Sequence, residues 1–225
     1  SNPAVYGWKD GCEPLPPIHT HIHEVPLTPA QRDWVAKATG QMIATKPGGI
    51  TTRAGFSQVS KGHYKGIDYA THKYEVMQEL IAGWRANEST LVWCLYDHEQ
   101  AKCHAAFGGD SMDGKTKDAD RHVMIERFKS RENDCLTSKS KILGFGLNLQ
   151  VATRQVFSGL QDSYESYYQA VKRSNRIGSK LPLNVHIPVT ELEEPMIATV
   201  LEKAKRVEQD TRKQEELFKS CSGVF

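Results

Sequence analysis

The chain has 225 residues, with 29 Lys+Arg against 27 Asp+Glu and a formal net charge of +2, so no bulk charge draws it to a polyanion. Any nucleic-acid contact must therefore come from local patches. Hydrophobic content of 39% and charged content of 25% fit a soluble globular chain with one sizeable core and an appendage, and exclude a membrane span, since no apolar run reaches the needed length.

Residues 1–17 are rich in Pro and Gly and read as an irregular arm, with no signal-peptide pattern. The opening Ser1-Asn2 in place of a methionine reads as a piece of a longer protein. In His19-Thr-His-Ile-His23, alternation puts three histidines on one strand face; a zinc site would need a fourth ligand that is not at hand, so a polar strand face is the better reading. Thr28 or Pro29 opens a helix with Trp34, Val35, Ala38 and Met42 on its apolar stripe, and Pro47-Gly-Gly49 closes it.

Helical spacing of Tyr74, Met77, Leu80, Ile81 and Trp84 predicts an amphipathic helix over Tyr69 to Ala86. Ser89 to Tyr96 is a continuous apolar run of strand length, the pattern of a strand buried on both faces in a parallel sheet. Helices follow at His98 to Ala106 and Asp118 to Phe128, and short strands at Glu132 to Thr137 and Val156-Phe157. Leu183 to Val189 alternates and reads as an outer strand, with Pro188 consistent with an edge. Thr190-Glu-Leu-Glu193 is a possible capping box before a long helix striped by Met196, Ile197, Val200, Leu201, Ala204 and Val207. Glu202/Arg206 and Glu208/Arg212 are i,i+4 pairs on its solvated face. The five cysteines form no Cys-x-x-Cys pair, which favours reduced thiols in a cytoplasmic protein.

Gly109-Asp-Ser-Met-Asp-Gly-Lys115-Thr116 matches a phosphate loop letter for letter, with Lys115 to reach phosphates and Thr116 to hold magnesium. The strand feeding it is short, Asp110 and Asp113 set carboxylates where N–H groups must face phosphate, and no later strand ends in a magnesium-binding acid. A self-sufficient NTPase or kinase built on Gly109 to Thr116 stays open as an alternative, as does a non-catalytic interaction module.

Gln169-Ala-Val-Lys-Arg173-Ser-Asn-Arg176-Ile-Gly178 follows the aromatic run Asp162 to Tyr168. On a helix, Gln169, Arg173 and Arg176 would share one side, offering an amide and two planar cations to a triphosphate. A solvated basic helix end is the competing reading. Upstream lies Gly144-Phe-Gly-Leu-Asn-Leu149. Together, in order and separation, these stretches resemble the last two motifs of superfamily-two helicases of the Swi/Snf-like branch. Leu27-Thr28-Pro-Ala-Gln31 resembles the opening of that family's inter-lobe helical link, and the pattern Gly109-x-Ser-Met112, Arg121, Phe128 competes with the phosphate-loop reading. Lys172, Asn175 and Ser179 depart from the family's usual residues and suggest a divergent, phage- or prophage-type member.

The resemblance implies an α/β fold: a RecA-like three-layer sandwich with a mainly parallel sheet over residues 69–225, preceded by an arm and helical inter-lobe segment at 1–68. It implies ATP hydrolysis coupled to movement along DNA, with ATP and Mg2+ held mainly by an N-terminal lobe of the full-length protein. The lobe alone would be inactive. Arg173 and Arg176 would be arginine fingers; Gln169, Gly146 and Asn148 would serve nucleotide and the inter-lobe face; Lys139, Ser140 and Lys141 would face the DNA backbone.

Overall fold

The structure is a computed structural model that describes residues 15–44, 50–84, 88–143, 147–159 and 163–222. Six strands form one parallel sheet: β1 (Ile18–Glu24), β4 (Ser89–Cys94), β5 (Asp110–Met112), β6 (Cys135–Lys139), β7 (Ala152–Phe157) and β8 (Leu183–Val189), in the order β1-β8-β7-β4-β6-β5. The apolar run at Ser89–Cys94 is buried at every position, as its composition requires of a central strand. Leu91 and Trp93 pack into one layer with α5 (Asp118–Lys129), α6 (Tyr164–Val171) and α7 (Glu194–Ser222). Val92 and Cys94 pack into the other, against α3 (Lys73–Ala82) and α4 (Asp97–Phe107). Two core layers around one sheet make the three-layer sandwich.

Leu183–Val189 is not an outer strand. Residues 18–24 add β1 beyond it, pairing Ile18 with Leu183 through Glu24 with Val189. Pro188 is tolerated inside because the β7 ladder ends at His186. His21 and His23 stack on His186 across this seam, and His23 Nε2 lies 3.0 Å from His186 Nδ1.

Helix α1 (Pro29–Ala44) starts where Thr28 predicts, through a reciprocal box: the Gln31 N–H donates to Thr28 Oγ1 and the Thr28 N–H to Gln31 Oε1, at 3.3 and 3.0 Å. Gln31 Nε2 also donates to the Val59 carbonyl, tying α1 to the end of α2 (Ile50–Ser60). The expected stop at Pro47-Gly-Gly49 lies outside the described residues.

Helix α3 begins four residues later than its apolar spacing suggests. The Tyr69 N–H donates to Gly62 O at 3.0 Å, which closes a hairpin of β2 (His63–Tyr64) and β3 (Ile67–Asp68). Lys65 and Gly66, both at positive φ, turn that hairpin.

The capping box expected at Thr190 is only marginal, with the Thr190 N–H 3.4 Å from Glu193 Oε2. The Glu193 carboxylate is instead buried and held by Lys61 Nζ at 2.5 Å and Lys73 Nζ at 2.6 Å, both lysines fully buried. Burial disfavours its charge, but the two ammonium groups outweigh that and hold its pKa below the usual carboxylate value. The chain passes so closely here that a Cβ on Gly159 would lie 2.2 Å from Lys61 Cε, a space only glycine leaves free. Lys61 thus lies against Gly159, just past the carboxyl end of β7 and close to Leu95 at the end of β4.

Candidate functional site

Helix α6 opens on Ser163, whose Oγ accepts the Ser166 N–H at 3.3 Å, and ends at Val171. Arg173 and Arg176 therefore do not ride on a shared helix face. They sit in successive turns after the helix, where the Arg173 N–H bonds Ala170 O and the Ser179 N–H bonds Arg176 O. A clasp holds these turns: Ser179 Oγ donates to Ser174 O at 2.7 Å and accepts the Arg176 N–H at 3.0 Å.

The two guanidinium groups are still near each other. Arg173 is only 7% exposed, and burial, then the charge of Arg176, lowers its pKa. Among the described residues its side chain has no hydrogen-bond acceptor or carboxylate. Arg176 is exposed and donates to Leu147 O at 3.5 Å. A buried cation beside a second cation, with no anion of its own, is an anion-seeking arrangement.

The segment Leu147 to Gln150 lies against these turns. The Leu149 N–H donates to Arg173 O at 2.9 Å, and Gln150 Nε2 to Ile177 O at 2.6 Å. Asn148 does not reach the arginines; its side chain bonds Gln150, donating to Oε1 at 3.0 Å and accepting from the Gln150 N–H at 3.2 Å. Gln150 is thus a bridging residue that no motif reading singled out. Gln169 lies on α6, where its Nε2 bonds Glu165 Oε1 at 3.1 Å. Gly146 lies outside the described residues.

Lys139 ends β6, and its ammonium pairs with the Asp97 carboxylate at the start of α4. That hydrogen bond and charge lower the Asp97 pKa. Ser140 and Lys141 follow in the turn, with Lys141 exposed. Ser140 also lines a cavity of about 10 Å³ with Ser166 and Tyr167 of α6, too small for a ligand. The exposed cation of this turn is therefore Lys141, while Lys139 already has a carboxylate.

The Gly109–Thr116 stretch is no phosphate cradle. Asp110–Met112 is strand β5, and Asp113 Oδ1 accepts from the Lys115 N–H, the Thr116 N–H and Thr116 Oγ1 at 2.8, 2.9 and 3.0 Å. The chain's own carboxylate occupies the donors a phosphate would need. Arg121 binds the Thr116 and Asp113 carbonyls, while Met112 and Phe128 are core residues. Gly109, at φ +74°, passes Cys135 where a Cβ would lie 2.2 Å from the carbonyl oxygen. The spacing of Gly109, Met112, Arg121 and Phe128 is thereby explained by packing.

Among the described residues no group of three His, Cys, Asp or Glu side chains converges as a metal site, and no helix is long and apolar enough to cross a membrane.

Residues 72–178 match the family described as the helicase conserved C-terminal domain. Among solved structures, the crystal structure of the C-terminal part of the Fun30 ATPase domain is similar, with a TM-score of 0.64 and 15% identity, covering 83% of this chain and 89% of that one. Comparison with curated proteins gives no match. The likeness establishes the fold as a RecA-like α/β lobe.

Proposed function

We propose that this chain is the C-terminal lobe of an ATP-dependent DNA helicase or translocase of the Swi/Snf-like branch. Arg173 and Arg176 serve as arginine fingers toward nucleotide held on an N-terminal lobe of the same protein. One observation carries the reading: a nearly buried guanidinium, Arg173, lacks an anionic partner among the described residues and stands beside Arg176, on turns tied to the Leu147–Gln150 segment. That is a site prepared for negative charge arriving from outside the lobe. The match over residues 72–178 supports it. The departures at Lys172, Asn175 and Ser179 support a divergent, phage- or prophage-type member.

ATP with Mg2+, held mainly by the N-terminal lobe, would supply the phosphoryl group that is hydrolysed. Arg173 and Arg176 stabilise negative charge as it spreads over that group, an effect that acts on turnover more than on ground-state affinity. Gln169, Asn148 and Gly146 belong to the inter-lobe face in this reading. Asn148 acts through Gln150, which holds the Ile177 carbonyl and so the arginine turns. Lys141, with Lys139 and Ser140, meets the DNA backbone as a point-charge contact.

The experiment is DNA-stimulated ATPase of the full-length protein carrying Arg173→Ala or Arg176→Ala. Loss of turnover with the fold intact supports the reading. Unchanged turnover in both would leave a non-catalytic interaction module.

A further inference from the structure

We infer that Gln155 is a positioning residue for both arginines, setting where α6 stops and so where Arg173 and Arg176 begin. The inference rests on the arginine-finger reading above and adds a residue to it. Gln155 lies in the centre of β7 and is fully buried, a place where a strand ordinarily holds an apolar side chain. Its carboxamide is spent on four partners. Oε1 accepts from Trp93 Nε1 at 3.0 Å. The Nε2 hydrogens are shared among Ala170 O at 3.1 Å, Val171 O at 3.4 Å and Ser174 Oγ at 2.8 Å.

The choice of acceptors separates positioning from simple core satisfaction. Ala170 and Val171 are the last two residues of α6, and the same two carbonyls accept the backbone N–H groups of Arg173, Ser174 and Asn175 in the turn that carries the first arginine. Taking both from the sheet side fixes the helix terminus against β7. The third acceptor belongs to Ser174, directly after Arg173. From Ser174 the linkage continues: its carbonyl accepts Ser179 Oγ, which accepts the Arg176 N–H. One buried amide thus anchors the turn of Arg173 and, through two serines, the backbone of Arg176. A buried amide with all its partners in place specifies one geometry, and an apolar replacement leaves an indole N–H and a hydroxyl to find others.

The test uses the full-length protein with Gln155→Met, which keeps length and removes both hydrogen-bonding ends, and Ser174→Ala, which cuts only the link to the arginine turn. DNA-stimulated ATP turnover should fall roughly tenfold or more in Gln155→Met and less in Ser174→Ala, with KM for ATP little changed, because misplacing a group that acts in the transition state costs turnover. The same changes in a background carrying both Arg173→Lys and Arg176→Lys should each cost at most about twofold, since what they position is already impaired. Full additivity in that background would make Gln155 a stability residue only and overturn the inference, as would normal turnover in Ser174→Ala together with a folded, fully active Gln155→Met. If Gln155→Met does not fold, Ser174→Ala alone decides by the same two criteria. Normal turnover in both Arg173→Ala and Arg176→Ala would instead remove the finger reading itself, and the Gln155 inference with it.

Discussion

The backbone N–H of Leu149 donates to the carbonyl of Arg173 at 2.9 Å, so the segment before β7 and the turns after α6 are one hydrogen-bonded unit. The 23 positions between these two residues hold strand β7 and helix α6, which return the chain to its starting point. The relationship explains why two short motifs, each weak alone, carry information when read in register.

Asp113→Ala should destabilise the chain by about 1–2 kcal/mol, the range for losing a side-chain cap on backbone N–H groups, because three donors lose their acceptor. Lys115→Ala should leave nucleotide affinity of the 225-residue chain unchanged. Urea unfolding checks the first and calorimetric titration with Mg-ATP the second. Tight binding that Lys115→Ala abolishes would restore the phosphate loop.

Glu193→Gln should cost roughly 3–5 kcal/mol, because it strands two buried ammonium groups. Its sign with pH follows from linkage. The folded-state pKa of Glu193 lies below its unfolded value, so its stabilisation is present above the unfolded carboxylate pKa and is lost as pH falls through the folded one. Unfolding midpoints of wild type and Glu193→Gln should therefore be far apart at neutral pH and converge in acid. A constant gap would contradict the pairing.

Duplex binding by the isolated lobe should be weak and salt-sensitive, with few cations at phosphates. Lys141→Ala should weaken it more than Lys139→Ala, whose ammonium is already shared with Asp97. Asp97→Asn should tighten it, roughly two- to fivefold at low salt, by freeing Lys139. Fluorescence anisotropy at two salt concentrations measures all three. No change in any of them would take this turn off the DNA face.

Much of this arrangement is legible in local pattern, because its causes are local. The unbroken apolar run at Ser89–Cys94 marks a strand with two buried faces, and Thr28 with Gln31 marks a helix start. What escapes a linear reading depends on distant partners. Glu193 looks like a capping residue until Lys61 and Lys73, 132 and 120 positions away, claim its carboxylate. The segment at Leu183–Val189 looks like an edge until β1 pairs beyond it. At the site, the spacing of Arg173 and Arg176 suggests a shared helix face, but α6 ends at Val171, where the Gln155 amide of another element meets the last two carbonyls. Gln150 and Gln155 are ordinary glutamines in sequence, and only their acceptors show what they hold.

The most direct measurement is steady-state ATP turnover of the full-length protein, with DNA, for Arg173→Ala and Arg176→Ala, beside nucleotide affinity and a thermal melt of each. Fingers of this kind contribute roughly a thousandfold or more to rate, so turnover should fall at least ~100-fold with a much smaller change in ATP affinity. Arg173→Lys should remain impaired because the planar fork is lost. The melts should be near wild type, since Arg173 has no carboxylate among the described residues to lose and Arg176 is exposed. Wild-type turnover in both alanine variants, or a collapsed melt accounting for the loss, would contradict the assignment of Arg173 and Arg176 as fingers.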